Sequence, residues 1–216
     1  MSYIKKVRLP PTRAMTSGTK MHSLFEKFFD KYETEEPKDW LNLFPIESLD
    51  KDEQEQCKYF VEQERFRYDD LVKKNRVDEF IPLAREIRID SDALDLKGYI
   101  DRVDIKEKGK EVTLVEYKTG NVVNLSSIRS ELSFYRLLWD EKYGDKGKTT
   151  QFLLINPRRG VYQYMKSYNK SLKAMENKIE KLRCAIENND FPKMPFDKKC
   201  AVCGMCRYVE ENNVGV

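Results

Sequence analysis

The sequence has no run of about 18 apolar residues, so no transmembrane helix is expected. Its first residues, MSYIKKVRLPPTRAM, lack the apolar core of a secretory leader, and a cytoplasmic, intracellular protein is the expectation. There is no internal repeat, no low-complexity tract and no segment that reads as a separate recognition domain. Neither sign of charge is in excess: 40 Lys and Arg against 37 Asp and Glu leave a net +3. That balance permits a phosphate-bearing partner through a local basic patch but does not require one. Histidine is nearly absent, His22 being the single one. Cysteine is scarce and odd in number, five in all, with three bunched near the C-terminus, which argues against a secreted disulfide framework.

What is present is a chain of 216 residues, 40% hydrophobic and 36% charged: enough for a real core under a highly charged surface. A single domain, 1–216, is expected, with a helical part over 1–80, a sheet core with a crossover helix over 81–167, and a last helix and Cys-rich tail over 168–216. Pro10-Pro11 points to an irregular start over 1–17. Met21, Phe25, Phe28 and Tyr32 recur at helical spacing over 19–33, which places His22 in that helix's first turn, just after Gly18. Residues 34–48 read as a loop and 49–74 as a long polar helix with Cys57, Val61 and Tyr68 on one stripe, the helical part capping the sheet from outside. Residues 82–90 read as a strand carrying Glu86. A helix is expected over 126–142, with Leu132, Tyr135 and Leu138 on its apolar face. TTQFLLI, from Thr149, reads as a buried strand; strand, helix and strand make a crossover, so it should run parallel in the same sheet. A turn at 156–160, a strand over 161–166 and a helix over 169–188, with Leu172, Met175, Ile179, Leu182 and Ile186 as its seam, complete the core.

Between these lies GYIDRVDIKEKGKEVTLVEYKTG, Gly98–Gly120, which reads as two strands, 97–104 and 111–117, about a turn containing Gly109. A two-residue loop at Lys108-Gly109 sets Asp101 opposite Glu116. Lys118, two residues on, shares their face. Asp104 has the wrong parity for it. Two close carboxylates repel unless a proton or cation lies between them, and hard oxygen ligands suit Mg²⁺ or Mn²⁺. Spacing alone leaves two readings, a metal site for phosphodiester hydrolysis and an ordinary ladder of surface ion pairs.

Taken in order, these motifs are Gly18-x-x-x-His22; Gly98-x-x-Asp101-Arg102-x-Asp104; Glu116-x-Lys118-Thr119-Gly120; and Tyr135 with a polar residue four places before it. They resemble the RecB-like branch of the PD-(D/E)XK nucleases, which includes nuclease domains of recombination helicases and CRISPR-associated adaptation nucleases. The resemblance implies a restriction-endonuclease-like α/β core, a mixed central sheet flanked by helices, with an N-terminal helical cap and a Cys-rich C-terminal tail. It implies that His22, Asp101 and Glu116, helped by the backbone carbonyl of Tyr117, bind one or two Mg²⁺ or Mn²⁺ ions. Lys118 then orients or activates the attacking water, and Tyr135 supports the site or touches the nucleic-acid backbone. Glu86 matches a glutamate found ahead of the hairpin in relatives and is a minor candidate. The family usually has a glutamine where this chain has Glu131.

Cys200-x-x-Cys203-x-x-Cys206 has metal-ligand spacing. In the resembling family such a tail holds a [4Fe–4S] cluster together with a cysteine upstream of the histidine, and no cysteine precedes His22 here. Cys184 or Cys57 could serve instead, for a cluster or for zinc, or the tail could hold no metal. The function expected is a divalent-metal-dependent DNA nuclease acting on single strands or ends, in repair, recombination, or CRISPR or viral DNA processing, with protein partners in a repair or CRISPR complex. Candidate phosphate contacts are Arg102, Arg129, Arg136, Arg158 and Arg159. The alternatives are a catalytically silent nucleic-acid-binding or assembly subunit on the same fold, disfavoured by the intact Asp101–Glu116–Lys118 set, and a metal-binding interaction module centred on the tail.

Overall fold

A computed structural model describes residues 11–35, 39–106 and 109–190. The first helix, α1 (Arg13–Glu35), begins directly after the proline pair. The Thr12 hydroxyl accepts the Met15 amide at 3.2 Å and so caps it. Residues 13–17 are therefore helical rather than irregular, because proline restricts itself and the residue before it, not the residues that follow. His22 consequently lies well inside α1, not in its first turn. One face of α1 buries Met21, Phe25, Phe28 and Phe29.

The stretch expected to be a loop forms two short 3-10 turns, Trp40–Leu43 and Ile46–Ser48, and Trp40, Leu43, Phe44 and Leu49 are buried in the core. Helix α2 (Lys51–Lys73) opens with a reciprocal capping box between Asp50 and Glu53. Its Cys57 and Phe60 complete an aromatic layer with α1, Phe25 and Phe60 stacking at 4.5 Å. Val115, Tyr117, Leu153 and Ile155 of the sheet belong to the same cluster, so α1 and α2 pack on one face of the sheet at its central strands.

The sheet has five strands in sequence order: β1 (Ala84–Ser91), β2 (Leu96–Lys106), β3 (Glu111–Tyr117), β4 (Lys148–Asn156) and β5 (Val161–Lys166). Only β3 and β4 are parallel, joined through α3 (Leu125–Tyr143), as the crossover requires. The hairpin register follows the counted one, from Lys106 opposite Glu111 to Arg102 opposite Val115. There the ladder stops, although the next pair would be Asp101 and Glu116. Across the sheet, Arg85 and Ile87 pair with Arg102 and Ile100, while Glu86 between them pairs with nothing and has φ 44°. Asp101 is thus unladdered on both sides, and the sheet forks at this residue. Past the fork β2 stays with β1, and β3 stays with β4 through Tyr117 and Ile155.

The second face is apolar too. Ile128, Leu132, Leu138 and Trp139 of α3 pack on Ile89, Ile100, Val103, Leu114, Phe152 and Leu154. Gly98 makes this seating possible: a Cβ there would lie 2.8 Å from Leu138 Cδ1 and 3.1 Å from the Phe134 ring, with Tyr135 next at 3.5 Å. Leu138 is fully buried and cannot swing away. Gly98→Ala should cost about 1–3 kcal/mol by overpacking, read as a lowered midpoint of chemical unfolding, and should displace Tyr135 from the site.

The last helix, α4 (Asn169–Glu187), packs on α3 with Leu172, Met175 and Ile179 half-buried. Leu182 and Ile186, expected on the same apolar seam, are exposed. Among the described residues no helix is long and apolar enough to cross a membrane.

Candidate active site

The fork gathers side chains from α1, β1, β2, β3 and α3. Asp101 is wedged between the parting strands: its Oδ2 accepts the backbone N–H of Tyr117 at 2.7 Å, taking the place of a ladder hydrogen bond. Its Oδ1 faces His22 Nδ1 at 3.3 Å, and Glu86 Oε1 reaches the same nitrogen at 3.5 Å. Ligand atoms of His22, Glu86 and Asp101 all lie within 4.8 Å of one another. Glu86 is therefore a central member of the cluster, not a minor one. Its left-handed backbone, a strained conformation for a side chain with a Cβ, marks where β1 breaks ranks to reach the site.

Gly18, one turn before His22, lets α1 approach the end of β3. A Cβ at Gly18 would sit 3.3 Å from Thr119 Oγ1. The edge of the imidazole packs on the Tyr117 ring, at 5.8 Å between centroids. Thr19, Ser23 and Glu26 continue the α1 face beyond His22 and, with Gly18 and Glu86, line an open cavity of about 350 Å³.

Glu116 is buried, and Lys118 Nζ contacts its Oε1. The same ammonium lies 2.9 Å from Glu131 Oε2, and Tyr135 donates a long 3.4 Å hydrogen bond to Glu131 Oε1. Lys118 follows the end of β3 and is held there by its amide, which donates to the Ile155 carbonyl at 2.9 Å. Asn156 secures the exit of this segment: it is fully buried, and its Nδ2 donates to the Gly120 carbonyl at 3.0 Å. In the sequence Asn156 is marked only as the start of the turn before Pro157.

The electrostatics are those of a site short of positive charge. Burial lowers the proton affinity of His22, but its contacts with Asp101 and Glu86 outweigh burial and raise the imidazole pKa to about 10. Burial, then the charges of Asp101 and Glu131, push Glu116 up to about 8 against the pull of Lys118. Burial acts to lower Lys118, yet Glu116 and Glu131 lift it to about 12. Glu116 Oε2 is buried with no hydrogen-bond partner among the described residues, and Glu86 Oε1, also buried, has only the 3.5 Å approach of His22 Nδ1. Acceptors so poorly satisfied, beside a third carboxylate and an imidazole that would give up its proton to a metal, are what a hard divalent cation would satisfy.

A family model of the PD-(D/E)XK nuclease superfamily matches residues 1–210. The chain belongs to that superfamily. Among solved structures, a candidate exonuclease from Eubacterium rectale is similar in fold, with a TM-score of 0.56 over 100% of this chain and 80% of that one, at 11% identity. No curated protein matches the chain in sequence. Membership of the PD-(D/E)XK superfamily fits the fork, since the superfamily's name spells an acid followed by the acid-x-Lys set, here Asp101 and Glu116-x-Lys118.

Three of the candidate phosphate contacts prove otherwise occupied. Arg102 is completely buried on the α1–α2 side of the sheet: Nε donates to Asp104 Oδ1 and NH1 to Glu64 Oε1, both at 2.7 Å, and NH1 also reaches the Tyr117 hydroxyl at 3.2 Å. Arg136 is buried against Asp140, Ser167 and Asn169. Arg158 is paired with Asp52 at 2.6 Å. For Arg102 and Arg158 the acid lies far along the chain, Glu64 and Asp52 on α2, where spacing could not reveal it; for Arg136 it is Asp140, one helical turn on. Arg129 is half-buried and Arg159 exposed, and neither makes an ion pair among the described residues. Cys57 is fully buried, burial pushing its thiol up to about 12, so it is core packing. Cys184 is exposed on α4, and Cys200, Cys203 and Cys206 lie outside the described residues.

Proposed function

We propose that this nuclease is a divalent-metal-dependent deoxyribonuclease of RecB-like type, acting on single strands or ends of DNA in repair, recombination, or CRISPR or viral DNA processing. The observation that carries the metal dependence is the convergence of His22, Glu86 and Asp101 beside the orphaned buried oxygen of Glu116. These four side chains, with the Tyr117 carbonyl, would hold Mg²⁺ or Mn²⁺. A bound ion of this kind acidifies a water and neutralises charge on the phosphate. Lys118 presents a permanent cation at the same spot, suited to orienting the attacking water or a phosphate oxygen. Tyr135 and Glu131 close the site from α3. Preference for DNA ends rests on the resemblance in motif order. Cys200, Cys203 and Cys206, with Cys184 as fourth ligand, would hold a [4Fe–4S] cluster or zinc. A visible absorption spectrum and metal analysis of fresh protein test that part.

The test of the activity uses end-labelled single- and double-stranded DNA and RNA with Mg²⁺, Mn²⁺ or EDTA. Cleavage of DNA that requires the metal and releases product from ends is expected. Cleavage undiminished by EDTA would refute the metal site, and binding without cleavage on every substrate would favour the silent-subunit alternative. Arg159→Ala should weaken DNA binding with little change in kcat, and should reduce the slope of log affinity against log salt by about 1. An unchanged slope would remove Arg159 from the phosphate path.

A further inference from the structure

Lys118 has two carboxylate partners, and only one of them is free for it. Glu116 is buried, and its second oxygen has no hydrogen-bond partner among the described residues; in the proposed function that oxygen goes to the metal ion. Glu131 approaches the ammonium from the other side, on a different element, at 2.9 Å. Its placement is fixed: α3 is seated on β2 at Gly98, and Tyr135, one helical turn later, donates to the other Glu131 oxygen. Once Glu116 is committed to a cation, the lysine loses much of its hold there, and Glu131 remains as its anchor.

We propose that Glu131 is a positioning residue for Lys118: it draws the ammonium away from Glu116, which frees that carboxylate for a metal ion and holds the lysine over the reacting phosphate. The proposal rests on the metal-nuclease reading and deepens it. It also accounts for a glutamate here. A carboxamide could accept one hydrogen bond from the lysine but would not compete in charge with Glu116.

Two thermodynamic cycles test it. The first needs no catalysis: Mn²⁺ binding measured by calorimetry for wild type, Glu131→Gln, Lys118→Ala and the double variant. In Glu131→Gln the lysine falls back wholly on Glu116, so Mn²⁺ should bind about 3- to 10-fold more weakly, an effect of the size seen for outer-shell partners of metal ligands. In the Lys118→Ala background the same substitution should change affinity by less than about 2-fold, because groups that act through one another are non-additive. An equal loss in both backgrounds would mean that Glu131 acts on the ion through its field alone, and would overturn the proposal. The second cycle uses DNA cleavage. Glu131→Gln should lower kcat about 10- to 100-fold with KM nearly unchanged, the mark of an interaction made in the transition state. The double variant should be no slower than Lys118→Ala. Full kcat in Glu131→Gln would overturn the positioning role while leaving the metal-nuclease reading intact, whereas that reading fails separately if wild type does not cleave. Equal unfolding midpoints for wild type and Glu131→Gln distinguish positioning from a structural role.

Discussion

Asp101→Asn should reduce DNA cleavage by on the order of 10³-fold or more, with the fold retained. Asp101 contributes to the site twice. Its Oδ1 faces His22 Nδ1 in the cluster, and its Oδ2 satisfies the Tyr117 amide at the fork. Asparagine keeps an acceptor for the amide but gives up the negative charge, so it separates the two roles. Loss of one carboxylate from a metal set forfeits several kcal/mol of transition-state stabilisation, and about 4 kcal/mol corresponds to roughly 10³ in rate. Mn²⁺ affinity should fall in parallel. Asp101→Ala is the less informative variant: it strips the acceptor as well, and an unsatisfied buried amide adds about 1–3 kcal/mol of instability. A retained rate in Asp101→Asn, with DNA cleavage still dependent on Mn²⁺, would remove Asp101 from the site.

Arg102→Leu should be among the most destabilising single substitutions in the chain. The guanidinium is fully buried under the Phe29 ring, 4.8 Å from its centroid, and balances two buried carboxylates, Glu64 and Asp104. Removing one member of such a network leaves buried charge uncompensated, at a cost of about 3–5 kcal/mol. Replacing Arg102, Glu64, Asp104 and Arg67, the second guanidinium of the network, together by apolar residues of similar size should recover much of that loss. The measurement is chemical unfolding of the single and quadruple variants; equal stability of Arg102→Leu and wild type would refute the network's role. The same group sets an acid limit. Burial acts to raise the Asp104 pKa, but the charges of Arg102 and Arg67 more than reverse it and hold Asp104 below its ordinary 3.8. A carboxylate with a depressed folded value stabilises the fold at pH above 3.8, and its contribution fades as pH falls through that lower value. Wild-type stability should therefore drop below about pH 4 more steeply than that of the quadruple variant.

These cases show what the sequence makes legible. Strand content is local, so β3 and β5 lie where their apolar runs and turn residues place them, and counting out from Gly109 gives the observed register as far as Arg102 opposite Val115, one pair short of Asp101 and Glu116. The superfamily motif is compact along the chain and is read the same way. Burial of charge is not local. Arg102 looks like a phosphate contact because its partner Glu64 lies 38 residues earlier, on α2. The fork is equally hidden: nothing in AREIRID announces that Glu86 turns left-handed, and only the pairing of β1 with β2 shows that it reaches His22. The exposed half of the α4 seam carries the periodicity of a buried helix without the burial.

The single parallel pair at the centre of the sheet bears on the order in which the molecule assembles. The aromatic layer joins α1 and α2, neighbours in sequence, and the β1–β2 and β2–β3 hairpins are likewise local. β3 gains its second neighbour only after α3 has been made and β4 laid down beside it, the longest loop closure in the sheet. During synthesis, then, every proposed ligand from His22 to Glu116 has emerged before the strand that pins Lys118 through Ile155 exists. Pulse-labelled amide exchange should see α1 and α2 protected before the Lys118 amide. The nuclease centre would be a late product of folding, closed by a strand that supplies none of its reacting groups.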